Sequence, residues 1–137
     1  MREGRRTGEL GNKILIVEDS PQNMRLIEMT LRAGGYTLLK AADGLEALEI
    51  ANREHPDLIV MDIQLPRMGG LEVTKQLRQM AEFKNVPIIA VTAYAMKGDM
   101  ERFTEAGCDA YVSKPINTRA LPGIIAEMLQ KHRKGET

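Results

Sequence analysis

Short, uninterrupted apolar runs recur along the chain, and the stretches between them return apolar residues every three or four positions. Lys13-Ile14-Leu15-Ile16-Val17, Leu58-Ile59-Val60-Met61 and Ile88-Ile89-Ala90-Val91 have the length and composition of strands buried on both faces. Tyr36 to Ala41 and Ala110 to Ser113 are weaker strand candidates. Ser20 is placed to cap, and Pro21 to open, a helix on which Met24, Ile27 and Leu31 recur until Gly34-Gly35 stops it. A second helix, Leu45 to about Glu54, follows Asp43-Gly44 and turns Leu48 and Ala51 inward. Leu71 to Met80 predicts a third, with Leu71, Thr74 and Leu77 on one face. Lys97 to Ala106 predicts a fourth, with Met96, Met100 and Phe103 inward and Gly107 closing it. Thr118 is placed to cap a last helix with the face Leu121, Ile124, Ile125, Met128 and Leu129, and Pro122 and Gly123 predict an irregular first turn.

Strand and helix thus alternate five times with short connections, the pattern of a doubly wound α/β domain: a parallel sheet with helices on both faces. The expected domain runs from 13 to 130, between a polar leader, 1–12, and a polar tail, 131–137. No internal repeat or low-complexity segment interrupts it.

Composition narrows the function classes. At 137 residues, the length suits one domain with a substantial core. Nineteen basic residues balance nineteen acidic ones, which gives no support to direct nucleic-acid or membrane-surface binding. The single cysteine, Cys108, forms no intramolecular disulfide and suits a reducing cytoplasm. No apolar run approaches the ~20 residues that span a bilayer, and no apolar segment follows the basic start to make a secretion signal.

The candidate chemistry lies where the strands end. Glu18 and Asp19 follow the first strand, Asp62 the third, Thr92 the fourth and Lys114 the fifth. In a doubly wound sheet those C-terminal ends line one crevice. Singly, each residue has a plainer role: acids at the start of a helix, a β-branched strand residue, a solvated lysine. Together they make an unusual set. Three carboxylates in one crevice repel one another unless they share a cation, and Mg²⁺ accepts one or two carboxylates plus waters and a phosphate oxygen. A hydroxyl and an ammonium beside them suit phosphoryl oxygens, so the pattern points to an aspartate that serves as phosphoryl acceptor.

Ile16-Val17-Glu18-Asp19, Met61-Asp62 with Pro66 and Gly69-Gly70, Val91-Thr92-Ala93 and Lys114-Pro115 together resemble the receiver domain of two-component response regulators, the CheY-like family, from about Lys13 to Gln130. The stretch from Thr92 to Tyr111 resembles especially DivK-like stand-alone regulators and the receivers of hybrid histidine kinases. The resemblance implies a flavodoxin-like (βα)5 fold with strand order 2-1-3-4-5, and a cis bond between Lys114 and Pro115. It implies that Asp62 takes a phosphoryl group from a histidine kinase or histidine phosphotransfer protein. Asp19, Asp62 and the backbone carbonyl of Gln64 would bind Mg²⁺, with Mn²⁺ as an alternative and Glu18 acting largely through water. Lys114 would pair with the phosphoryl group, Thr92 would move to hydrogen-bond it, and Tyr111 would turn inward as the switch aromatic. Gln64 and Tyr94 match positions that tune the phosphoryl lifetime, while Gln22, Asn23, Pro115 and Ile116 match the kinase-facing rim. A downstream protein would read the face of the fourth helix, fifth strand and fifth helix. On this reading the protein is a signalling phosphoacceptor with only self-directed phosphotransfer and autodephosphorylation, not an enzyme acting on other substrates.

Three alternatives are weaker or differ only in context. A Mg²⁺-dependent phosphatase with an aspartyl nucleophile carries a second acid two residues on, after its first strand, which Glu18-Asp19-Ser20-Pro21 does not match. A flavin carrier needs a Ser/Thr/Gly-rich phosphate loop and aromatics, but only 4% of residues are aromatic. A receiver belonging to a hybrid kinase would have the same chemistry. The leading expectation is a stand-alone regulator with no output domain after Gln130, and the polar ends at both termini do not separate it from a hybrid-kinase receiver.

Overall fold

The computed structural model describes residues 12–93 and 97–136. Five strands, β1 (Lys13–Val17), β2 (Thr37–Ala41), β3 (Leu58–Asp62), β4 (Ile88–Thr92) and β5 (Ala110–Ser113), alternate with five helices. The helices are α1 (Pro21–Leu31), α2 (Gly44–Glu54), α3 (Gly70–Arg78), α4 (Lys97–Ala106) and α5 (Leu121–Glu136), with short 3₁₀ turns at Arg32–Gly34 and Ala81–Phe83. All strand pairs are parallel, and the spatial order is 2-1-3-4-5. That is the expected doubly wound sheet.

Burial explains the sequence pattern. Every residue of β3 and β4 is buried, as continuous apolar runs in the middle of a parallel sheet require. Side chains alternate between two cores. Leu15, Val17, Ile59, Met61, Ile88 and Ala90 pack against the side that holds α2 and α3, with Ala47, Val73 and Leu77. Ile14, Ile16, Leu58, Val60, Ile89 and Val91 pack against α1 and α5, through Ile27, Leu31, Leu121 and Ile125.

Local signals behave mostly as expected. The Ser20 side chain accepts from Asn23 N–H, with Pro21 opening α1, and Gly35 takes the left-handed conformation at φ 77°. Asp43 caps α2 by accepting from Glu46 N–H. Val73 joins Thr74 and Leu77 on the buried face of α3, while Leu71 packs only partly against it. Phe103 is buried on α4. Met96 lies outside the described residues, as do leader residues 1–11 and Tyr94.

One cap differs. Asn117, not Thr118, precedes α5: its Oδ1 accepts from the N–H groups of Arg119 and Ala120 at 3.0 and 3.1 Å. The chain makes a turn before entering the helix, so Pro122 and Gly123 fall inside the first turn, where backbone N–H groups lack intrahelical partners anyway. The helix continues to Glu136, beyond the expected boundary at Gln130.

Gly70 governs how closely α3 begins behind β3. A Cβ there would collide with the Asp62 carbonyl oxygen and lie 2.9 Å from Ile63 Cα, both backbone positions that cannot rotate aside. Gly70→Ala is expected to cost about 1–3 kcal/mol in urea unfolding. Gly98→Ala on α4, where a Cβ meets nothing within 4 Å, should be neutral or stabilising and serves as the control.

Candidate functional site

The C-terminal strand ends bring together residues far apart in the chain. Asp62 ends β3 almost without exposure, at 1%, and Glu18, just past β1, is 2% exposed. Asp19 beside it is exposed at the crevice mouth. Carboxylate oxygens of Glu18, Asp19 and Asp62 all lie within 4.8 Å of one another. Lys114 reaches in from beyond β5, with Nζ 3.1 Å from Asp62 Oδ2 and 3.5 Å from Glu18 Oε1. Its backbone N–H donates to the Thr92 carbonyl at 2.8 Å, which aligns it with the end of β4. The Lys114–Pro115 bond is cis, as the resemblance implied.

The two buried acids are held by backbone. Gln64 N–H donates to Asp62 Oδ1 at 3.0 Å, and Ser20 N–H donates to Glu18 Oε2 at 3.1 Å. The Gln64 side-chain amide lies 3.5 Å from the buried Thr92 hydroxyl, joining the loop after β3 to the end of β4. The structure therefore gathers Glu18, Asp19, Asp62, Gln64, Thr92 and Lys114 around one crevice. Gln22 and Asn23 sit on the first turn of α1, while Pro115 and Ile116 follow Lys114. Tyr111 lies elsewhere: it pairs with Ala90 in the sheet and points outward, 41% exposed.

The electrostatics follow from the crowding of these charges. Burial pushes the Glu18 carboxyl above its ordinary value of 4.5, and the nearby Asp62 charge adds to it against the Ser20 N–H and Lys114. Burial alone would depress the Lys114 ammonium, but Asp62 and Glu18 outweigh it and raise the group above its ordinary value. Glu18 Oε1 is buried without a hydrogen-bond partner. A buried carboxylate oxygen with no hydrogen-bond donor, met only by the Lys114 ammonium at 3.5 Å and set inside a cluster of hard oxygen donors, fits a small divalent cation such as Mg²⁺.

That arrangement carries a stability cost with a definite sign. Because the folded value of Glu18 is raised, folding favours its protonated form, and metal-free stability falls as pH rises above about 4.5 through the raised folded value. Glu18→Gln removes the charge and keeps an acceptor for Ser20 N–H. It is expected to stabilise the metal-free protein at neutral pH by about 0.5–2 kcal/mol. Urea midpoints with and without Mg²⁺ test this, since saturating metal should shrink or reverse the gain.

Cys108 is buried, and desolvation pushes its thiol up to about 11, so it is a packed residue and not a nucleophile. Sequence reasoning did not single out Arg67, whose guanidinium meets Asp43 Oδ2 at 2.9 Å. It also passed over Arg78, whose carbonyl partners lie in two loops. The one signal for Arg67 was its place between Pro66 and Gly69-Gly70.

An acidic crevice with a facing lysine and hydroxyl, at the strand ends of a 2-1-3-4-5 sheet, defines the class of CheY-like α/β signalling domains. The chain belongs to the response regulator receiver family, whose domain model matches residues 14–126. It is 54% identical over 104 residues to the polar-differentiation response regulator DivK of Brucella ovis, an alignment covering 76% of this chain and 85% of that protein. Among solved structures, it superposes on the receiver domain of a sensor histidine kinase from Pseudomonas aeruginosa PAO1 with a TM-score of 0.81 and 39% identity, covering 88% of this chain and 98% of the other. That structure has a magnesium ion coordinated in its active-site cleft. The Mn²⁺-bound form of the response regulator Rcp1 superposes with a TM-score of 0.76 at 27% identity, covering 86% and 94%. Among the described residues, no helix is long and apolar enough to cross a membrane.

Proposed function

We propose that this receiver accepts a phosphoryl group from a phosphohistidine onto Asp62 in a Mg²⁺-dependent reaction, and that the acyl phosphate changes a protein-binding face. The observation that supports it best is the buried Asp62 carboxylate, clustered with two further acids and 3.1 Å from the Lys114 ammonium. Asp19, Asp62 and the Gln64 carbonyl would hold the metal directly and Glu18 through water, with Mn²⁺ able to replace Mg²⁺. When bound, the ion supplies charge neutralisation between the acids and the incoming phosphoryl oxygens.

In the transfer, an Asp62 carboxylate oxygen forms a bond to phosphorus as the P–N bond to the donor imidazole breaks, and the leaving nitrogen takes up a proton. Lys114, kept charged by its two acidic partners, gives up its contact with Asp62 to pair with the added phosphoryl oxygens. Thr92 supplies a hydroxyl donor at the end of β4, and Tyr111 on β5 turns inward as Thr92 moves. Gln64, at the crevice, and Tyr94, outside the described residues, tune how long the phosphoryl group survives. The only reactions are then this self-directed transfer and its hydrolysis.

The donor is a histidine kinase or histidine phosphotransfer protein that meets Gln22, Asn23, Pro115 and Ile116 at the rim. The output is a protein target on the α4–β5–α5 face, with no direct nucleic-acid or membrane role, in the cytoplasm.

Intact mass after incubation with acetyl phosphate and Mg²⁺ tests the reading. One phosphoryl group should be gained, and a chelator should block the gain. Borohydride reduction followed by peptide mapping should place it on Asp62. No gain, or a gain indifferent to chelator, would overturn the proposal.

A further inference from the structure

The segment between β3 and α3, residues 63–69, carries the Gln64 backbone at its start and is closed at its base by Gly70 N–H donating to the Ile63 carbonyl at 3.1 Å. Its tip is tied down elsewhere. Arg67 adopts φ 67°, a left-handed conformation that a non-glycine residue takes only at some cost. From there its Nη2 meets Asp43 Oδ2 at 2.9 Å, in the turn after β2. The other oxygen, Asp43 Oδ1, accepts from Glu46 N–H and caps α2 at 2.9 Å. Glu46 completes the turn by accepting from Ala42 N–H at 2.7 Å. Beside the pair, a Cβ on Gly44 would collide with the Met68 carbonyl oxygen, so the two segments touch backbone to backbone. Asp43 thus spends one oxygen on its own helix and the other on the loop that borders the acceptor aspartate.

Resting on the metal-site reading above, we propose that Arg67 is a positioning residue: its ion pair with Asp43 holds the 63–69 loop against α2 so that the Gln64 carbonyl is presented to the metal. Arg67 touches neither the metal nor the phosphoryl group. A left-handed arginine anchored by a bifunctional acid is a specific arrangement, because releasing the pair frees the loop tip while the base at Gly70 stays closed.

The test is Mg²⁺ titration into the unphosphorylated full chain, followed by calorimetry and by the Gln64 amide resonance, for Arg67→Gln, Asp43→Asn, the double variant and Arg67→Lys. Asn at 43 keeps a good helix cap, and all replacements at 67 face the same backbone demand, so charge is what varies. Each neutralising single variant should raise the Mg²⁺ dissociation constant about 2–5-fold, the range open to an exposed ion pair. The double should lose no more than the larger single, and Arg67→Lys should recover most of the affinity. Metal-free urea midpoints, which a merely structural pair would move, should stay close to wild type. Unchanged affinity in both singles, or losses that add in the double, would overturn the proposal. A wild type whose Mg²⁺ binding is absent, or insensitive to Asp19→Asn, would instead overturn the metal-site reading itself.

Discussion

Asp62→Asn is expected to take up no phosphoryl group under conditions that modify the wild-type protein fully, while remaining folded. The substitution is nearly isosteric. It retains an oxygen that can accept the Gln64 N–H, now at 3.0 Å from Asp62 Oδ1, so the backbone of the loop after β3 has no reason to move. What disappears is chemistry. An amide has no anionic oxygen to attack phosphorus, and no other described residue of the crevice replaces it: Glu18 is buried with its carboxyl shifted up by desolvation, and Asp19 stands at the exposed mouth. The variant also removes one of three clustered charges, which should weaken binding at the proposed cation site. Stability should change by only about 1 kcal/mol, since relief of repulsion with Glu18 offsets the loss of one of the two partners of Lys114. Intact mass and a urea midpoint from the same preparation separate the two effects. A phosphoryl gain that persists in the variant would move the acceptor to another residue.

The parts of this site that could be read in the sequence share a cause. Apolar runs mark strands because both faces of a central parallel strand must be buried, and a polar residue that ends such a run is therefore carried to a predictable edge. Asp62 and Thr92 were legible for that reason, and Glu18 and Asp19 with them, whereas Lys114 follows the half-exposed edge strand β5 and stood out through the Lys114-Pro115 pair of the family resemblance. The strand order was legible only through family resemblance, because alternation of strand and helix does not say which strands are neighbours. Caps were readable where a single residue type suffices, as at Ser20, and misplaced at Asn117, where three adjacent polar positions compete and the turn geometry decides. Pairings that depend on tertiary approach left no periodic trace. Arg67 with Asp43 is one, at a separation of 24 residues, and Arg78 with the α4–β5 turn is another, at 29.

Arg78→Ala is expected to destabilise the protein by about 3–5 kcal/mol, a large part of the 5–15 kcal/mol typical of a domain. Arg78 is the last residue of α3, and its side chain is only 18% exposed. Its Nε and Nη2 donate to the Gly107 carbonyl at 2.9 and 2.7 Å. On the other side Nη1 donates to the carbonyls of Phe83 and Val86 at 2.6 and 2.7 Å. Nη2 also meets Asp109 Oδ2 at 2.8 Å, the same oxygen that accepts from Ile88 N–H at 2.9 Å where β4 begins. One guanidinium thus fastens the loops that enter β4 and β5, and Gly107, at φ 115°, folds closely enough that a Cβ would lie 2.6 Å from Arg78 Cγ. Truncation removes the guanidinium from four carbonyls, those of Gly107, Phe83, Val86 and, at 3.3 Å, Lys84, and the cost follows from charge-assisted bonds lost at partly buried oxygens. Arg78→Lys should recover only a minor share, because a single ammonium cannot reach both loops as the planar fork does. The urea midpoint should fall with an unchanged slope. The clamp lies at the strand N-termini, away from the crevice, so phosphoryl uptake measured well below the unfolding transition should persist. A loss under about 1 kcal/mol would mean that water satisfies those carbonyls as well as arginine does.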